Sequence, residues 1–212
     1  MTADMSHADL RRYIRTYDHD LDPQLCQQMI GSFAGLERFQ MRNGRGVRKG
    51  LEESAWTELN VSRLSDAGFM GMFRKLIDRA LERYNREVGL AIAIPNSPLT
   101  SDLILKRYRP NERQGEAERF QLHFDAINHV ANRYLVLLWY LNDVEHGGAT
   151  RFPQLDVSIE ARAGRLLIFP PYWMYQHEGL PPVSGDKYIL STYLLFIDPR
   201  TANAPGKAVT EG

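Results

Sequence analysis

Cysteine is almost missing from this chain: among 212 residues only Cys26 carries a thiol. A lone thiol excludes an intramolecular disulfide framework and fits a reducing compartment. Net charge is missing as well. Lys plus Arg number 26, and so do Asp plus Glu. No broad field therefore draws the chain to nucleic acid or to an anionic membrane. No apolar run is long enough to span a bilayer. The opening segment, Met1 to His7, lacks the basic stretch and apolar run of a signal peptide. Internal repeats and low-complexity segments are also absent. Together these absences predict a modest-sized, single-domain cytoplasmic protein with no membrane and no nucleic-acid partner. They leave the oligomeric state open.

What is present divides the chain in two. Residues 1–99 read as a mixed support region. Tyr13 to Tyr17 is a short strand candidate. Asp22-Pro23 is a helix start, with a capping carboxylate and a proline in the first turn, and Leu25, Met29, Ile30 and Phe33 then share one helical face. A second helix is predicted from Ser65-Asp66, with Phe69, Phe73, Leu76, Ile77, Leu81 and Tyr84 at helical spacing. Met41 to Gly50 is basic and glycine-rich. It reads as a solvated loop, or as a lid over an active centre. From about residue 100 the pattern turns to short β-rich runs: Leu103–Arg109, Phe120–Asp125, Arg133–Leu141, Val157–Glu160, Arg165–Phe169 and Lys187–Ile197. Short strands between Gly and Pro turns predict a mainly β sandwich or jelly roll with supporting α-helices. Residues 198–212 are expected to form a flexible tail.

The chemistry centres on His123-Phe124-Asp125. In a strand, residues two apart point to the same face. His123 and Asp125 can then reach one metal while Phe124 faces away. A further imidazole from His177 would complete two histidines and one carboxylate. That set leaves octahedral positions open, as in non-heme Fe(II) oxygenases. The dipeptide spacing alone is weak, since His7-Ala8-Asp9 has it too, in a stretch of helical spacing that would splay the two side chains apart. His177 alone could be a satisfied structural histidine. Lys187, which opens an apolar strand, could be a solvated edge lysine or a point charge set to meet a carboxylate.

Around these residues several motifs occur in order: Tyr140-Leu141-Asn142-Asp143-Val144, Gly147-Gly148-Ala149-Thr150-Arg151-Phe152-Pro153, Gly164 to Pro170, His177-Glu178-Gly179 and Gly185-Asp186-Lys187-Tyr188. The run, about residues 100–197, resembles the catalytic domain of the prolyl 4-hydroxylase family of Fe(II)- and 2-oxoglutarate-dependent dioxygenases. The resemblance implies a double-stranded β-helix (jelly roll, cupin-like) core. It implies Fe(II) on His123, Asp125 and His177, with 2-oxoglutarate and dioxygen as cosubstrates and ascorbate as a candidate auxiliary reductant. Lys187 would meet the distal carboxylate of 2-oxoglutarate, with hydroxyls of Tyr108, Tyr140 and Thr150 helping to hold it. Arg133 matches an arginine that faces the substrate pocket in relatives. Related halogenases lack the metal carboxylate, so the presence of Asp125 implies hydroxylation.

The chain also departs from the family pattern. Six residues after Lys187, many relatives carry tryptophan; here the residue is Tyr193. The approach to His123, Pro110 to Arg119, differs from the common glycine-rich form. The expected reaction is hydroxylation of an unactivated C–H bond, first of all on a prolyl residue of a peptide or protein. The alternatives are a free amino acid, a non-proline side chain or a small metabolite. Nucleic-acid dealkylases carry arginine at the anchor and six residues later, which Lys187 and Tyr193 do not match. A non-catalytic metal-binding β-barrel is the remaining alternative, and the placement of Lys187 argues against it.

Overall fold

The computed structural model describes residues 8–110 and 117–196. After a one-turn helix α1 (Ala8–Arg11), strand β1 (Arg15–Tyr17) leads to helix α2 (Pro23–Gly35). The Asp22 carboxylate accepts from Gln24 N at 2.7 Å and caps α2 as the sequence predicts. Strands β2 (Met41–Gly44) and β3 (Ala55–Asn60) follow, then a short α3 (Val61–Leu64) and the long α4 (Ala67–Val88). Asp66 Oδ1 accepts from Phe69 N at 2.8 Å to start α4, and Gly89 ends it in the left-handed conformation.

The remaining strands are β4 (Ile104–Tyr108), β5 (Phe120–His123), β6 (Arg133–Tyr140), β7 (Thr150–Phe152), β8 (Val157–Ile159), β9 (Leu166–Phe169), β10 (His177–Gly179) and β11 (Lys187–Leu195). They form a seven-stranded sheet, β1-β9-β6-β11-β4-β3-β2, and a four-stranded sheet, β5-β10-β7-β8. From β4 onward the chain passes repeatedly between the two sheets, and the described pairings are antiparallel. This is the jelly-roll double-stranded β-helix.

Strict alternation on β6 shows how the layers form. Leu135, Leu137 and Trp139 face the helices, in a core shared with Phe33, Phe73, Leu81 and Tyr84. Val136, Leu138 and Tyr140 face the other way, into a second core with Phe152, Phe169 and Ile189. A strand buried on both faces reads as a continuous apolar run, and that is the pattern of residues 134–141. Phe73 of α4 meets Trp139 edge-on at 5.7 Å, and each fully buried large side chain of this kind contributes about 1.5–3 kcal/mol. The helices thus brace the outer face of the large sheet, and the inner face is left for chemistry.

Three expectations change. Met41 to Gly50 is not wholly a loop: Met41–Gly44 is edge strand β2, registered on β3 from Met41↔Glu58 to Gly44↔Ala55, and the turn begins after it. The motif Gly147 to Pro153, over which no strand was predicted, enters β7 at Thr150. The strand carrying His123 ends at that residue, so Asp125 lies in a bend beyond it. The C-terminal stretch from residue 197, the expected tail included, lies outside the described residues, as do His7 and residues 111–116.

The turn before β7 depends on glycine. Gly147 and Gly148 both have positive φ, 75° and 72°, and a Cβ on Gly147 would collide with the Pro181 carbonyl oxygen. Gly147→Ala is therefore expected to destabilise the fold by about 2 kcal/mol or more. A urea midpoint unchanged from the parent would contradict this account of the turn.

Candidate active site

Two imidazoles face each other across β5 and β10. His123 and His177 are direct cross-strand partners, with ring centroids 4.2 Å apart. Each ring is oriented by a backbone carbonyl two residues earlier. His123 Nδ1 lies 2.7 Å from Gln121 O and His177 Nδ1 lies 3.1 Å from Tyr175 O. A proton on each Nδ1 satisfies those carbonyls and leaves each Nε2 lone pair free for a metal. Burial, then the neighbouring His123, push His177 down to about 4, so its imidazole is the neutral form that ligation needs.

Asp125 reaches the same point by a different route from the strand alternation. Its own N–H and that of Ala126 both donate to Pro171 O, at 2.9 and 3.0 Å. These bonds fix the bend, and the carboxylate turns back onto the histidines. Oδ1 lies 3.5 Å from His123 Nε2, and Oδ2 lies 3.4 Å from His177 Nε2. One ligand atom from each of the three residues lies within 4.8 Å of the others. Asp125 Oδ2 is buried with no hydrogen-bond partner. A buried, unsatisfied carboxylate oxygen is costly, and a cation between it and the two free Nε2 atoms would satisfy all three. The donor set fits Fe(II).

The pocket beside this centre is floored by alternate residues of β4 and β11. Lys187 pairs in register with Tyr108, and Ile189 with Lys106. The Lys187 side chain is almost fully buried, with Nζ 5.6 Å from the Tyr108 ring centroid and 5.5 Å from that of Tyr140. Burial pushes its ammonium down to about 7. Among the described residues no carboxylate pairs with it. Gly179 keeps the approach clear, since a Cβ there would already touch Nζ at 3.9 Å. The Tyr140 hydroxyl donates to Thr150 Oγ1 at 2.7 Å, and both side chains are buried. Thr150 and Tyr108 line the pocket with the three candidate ligands and Lys187. Tyr140 stands behind Thr150, so the structure gives it a supporting position.

Arg133 sits elsewhere. Its guanidinium stacks on the Tyr193 ring, 3.7 Å from the centroid, and Nη1 donates to Asp125 O at 3.3 Å. Tyr193 itself is a functional candidate that the motif reading treated only as a departure. Its hydroxyl donates to Asp125 Oδ1 at 2.9 Å, and Asp125 would keep its other oxygen for the metal. Tyr193→Phe is expected to weaken Mn(II) affinity about tenfold, the usual scale for losing a partner that orients a ligand. Unchanged affinity by calorimetry would mean that the hydroxyl does not position the carboxylate. Lys106 was also missed. Its signal is the period-two alternation from Tyr108, which puts it on the pocket face of β4.

Comparison with known proteins agrees with this geometry. Residues 105–195 match the family model described as the 2OG-Fe(II) oxygenase superfamily. The putative prolyl 4-hydroxylase of Acanthamoeba polyphaga mimivirus is 23% identical over 188 residues, covering 82% of this chain and 70% of that protein. The procollagen-lysine,2-oxoglutarate 5-dioxygenase 1 of Mus musculus is 32% identical over 94 residues, or 44% of this chain, which is only 12% of that longer protein. The solved prolyl hydroxylase of Trichoplax adhaerens, in complex with a hypoxia inducible factor oxygen degradation domain peptide fragment, superposes with a TM-score of 0.68 at 16% identity. That likeness covers 95% of this chain and 92% of that one. The fold and the matched domain define a 2-oxoglutarate- and Fe(II)-dependent dioxygenase. Within that superfamily the relatives it resembles include prolyl 4-hydroxylase-like enzymes.

Proposed function

We propose that this enzyme hydroxylates a prolyl residue of a peptide or protein at the centre formed by His123, Asp125 and His177. The observation that carries the reading is the unsatisfied Asp125 Oδ2 facing two histidines, beside a buried and unpaired Lys187. The prolyl hydroxylase relatives, one of them solved with a peptide, supply the substrate class.

In this reading the three ligands hold Fe(II). When bound, the metal with 2-oxoglutarate and dioxygen supplies the oxidising power that places one oxygen on a C–H bond, and succinate and carbon dioxide are released. The protein's part is binding and orientation. Lys187 receives the distal carboxylate of 2-oxoglutarate. Thr150 and Tyr108 offer hydroxyls beside it, and Tyr140 fixes the Thr150 hydroxyl. Burial pushes both tyrosines up, so they remain protonated donors at neutral pH. Val136, Leu138, Phe169 and Ile189 line the pocket and limit water near the reacting centre. Arg133 acts through Tyr193 and the Asp125 backbone as a positioning residue. The finer assignments follow the same reasoning: residues 100–197 as the catalytic unit, ascorbate as the auxiliary reductant, and the cytoplasm as the setting, supported by the single buried thiol of Cys26. Among the described residues no helix is long and apolar enough to cross a membrane.

The test is aerobic incubation with Fe(II), ascorbate and 2-oxoglutarate, with and without proline-containing peptides, following succinate and peptide mass together. Gain of one oxygen on proline coupled to succinate is the expected result. Succinate with every peptide unchanged would move the substrate to a free amino acid, another side chain or a small metabolite. No succinate under any condition would contradict the assignment of the site.

A further inference from the structure

We propose that Lys106 is a substrate-recognition residue, and that the prime substrate carries a carboxylate close to the carbon that is hydroxylated. The inference rests on the oxygenase reading above and deepens it.

Lys106 stands on β4, two residues before Tyr108 and on the same face, and lines the pocket with the candidate iron ligands. It is opposite Ile189, whereas the anchor Lys187 is opposite Tyr108. The two lysines are therefore one step apart along the floor, about 7 Å in strand rise. Lys187 marks one end. Ser191 and Tyr193 continue the floor on the other side of Ile189, away from the anchor. Lys106 is thus displaced from the cosubstrate anchor towards Tyr193, where an organic substrate has room to meet the metal.

Its ammonium is in no ion pair among the described residues, although Glu58 and Asp125 act favourably on its charge. Among the described residues no ion pair or hydrogen bond joins the ammonium to a carboxylate. It lies instead 5.6 Å from the Trp56 and Phe120 ring centroids, above apolar faces. Glu58 is directly across from it on β3, yet the Glu58 carboxylate is held by Trp56 Nε1 at 2.6 Å. Arg133 and Arg48 oppose the favourable influence of Glu58 and Asp125 on Lys106. With the cosubstrate in place, Fe(II) and Lys187 balance Asp125 and the 2-oxoglutarate dianion. Lys106 and Glu58 then remain, cross-strand neighbours with no hydrogen bond or ion pair between them among the described residues. A half-buried cation outside any ion pair costs free energy, and an anionic substrate group would offset that cost at the moment of binding. A neutral isostere could not, and specificity follows from the difference.

The test uses protein loaded with Mn(II) and saturating 2-oxoglutarate, titrated calorimetrically with N-acetyl-L-proline and with N-acetyl-L-prolinamide. The acid is expected to bind at least about tenfold more tightly than the amide. Lys106→Met should bring the acid to the affinity of the amide, and Lys106→Arg should restore the preference. Equal binding of acid and amide, or no binding of the acid, overturns the proposal. So does a Lys106→Met protein that loses 2-oxoglutarate affinity but keeps the acid preference, because Lys106 would then serve the cosubstrate. Peptides ending in proline with a free or amidated terminus, and internal prolines followed by Glu or Gln, separate the two sources of carboxylate. A Lys106-dependent preference in either pair supports the assignment, and in neither overturns it. If the acid preference depends on Lys106 but no proline compound gains oxygen, the prolyl reading fails and the lysine assignment stands.

Discussion

Asp125→Ala is expected to abolish 2-oxoglutarate-dependent turnover and to weaken Fe(II) or Mn(II) binding by more than the roughly 10–100-fold that losing an orienting partner costs. The fold should survive. The bend that carries Asp125 is held by backbone N–H groups of Asp125 and Ala126 on the Pro171 carbonyl, which alanine keeps. The carboxylate removed has one oxygen without a partner and one that accepts from the Tyr193 hydroxyl, so the metal-free protein loses that hydrogen bond but not the bend. Circular dichroism, metal affinity and succinate release would be measured together. Undiminished turnover would refute the ligand assignment, whereas a collapsed fold would refute the claim that the bend is set by the backbone.

The second large effect lies at Lys187. Lys187→Met is expected to weaken 2-oxoglutarate binding by two orders of magnitude or more (about 3 kcal/mol), because a carboxylate would lose its counter-charge in a dry pocket. The same substitution should stabilise the protein without cosubstrate. The sign follows from the depressed lysine. Its ordinary value is 10.5 and burial lowers it to about 7. Between those values the unfolded chain holds a proton that the native lysine has released, so stability rises with pH across that window. Below about 7 the buried cation's full penalty is present. Lys187→Met should therefore be more stable than the parent near pH 7 and should lack the rise. Cosubstrate binding completes the pattern. Above about pH 7 it must take up a proton, so affinity should fall by up to about tenfold per pH unit. Calorimetry of the Mn(II)-loaded protein in two buffers of different ionisation enthalpy would detect that proton. A pH-independent affinity with no proton uptake would mean that the lysine stays charged throughout.

Much of this site could be read from the chain because its parts lie on strands with regular alternation. Leu103–Arg109 and Lys187–Ile197 announce β4 and β11, and period two puts Lys106 with Tyr108 on one face of β4 and Lys187 with Ile189 on one face of β11. That His123, Asp125 and His177 come together was legible from their spacing and the motifs around them. Other parts were not local properties. Met41-Arg42-Asn43-Gly44 has poor strand composition and becomes β2 because β3 offers it an edge. Thr150 to Phe152 is too short to stand out from the glycine turn before it. Asp125 reaches the metal position through a bend tied to Pro171, a residue far along the chain, which no alternation rule contains. Lys106 was hidden because a lysine in a strand ordinarily faces water. Its alternation with Tyr108 was the signal, and the pairing of β4 with β11 sets it opposite Ile189 beside the pocket.

The site straddles a seam. The two histidines stand on the four-stranded sheet and Asp125 on the bend beyond it, while Lys187, Tyr108 and Lys106 stand on the seven-stranded sheet. Across the gap, Phe152 of one sheet meets Phe169 of the other edge-on at 5.0 Å, and Phe169 in turn meets His177 at 4.6 Å. Those rings act as a spacer gauge. They set how far the candidate metal ligands stand from Lys187, the proposed cosubstrate anchor, much as a shim sets the jaws of a vice. The reach of 2-oxoglutarate is fixed by its carbon skeleton, so the tolerance of the enzyme is written in the thickness of two phenylalanines.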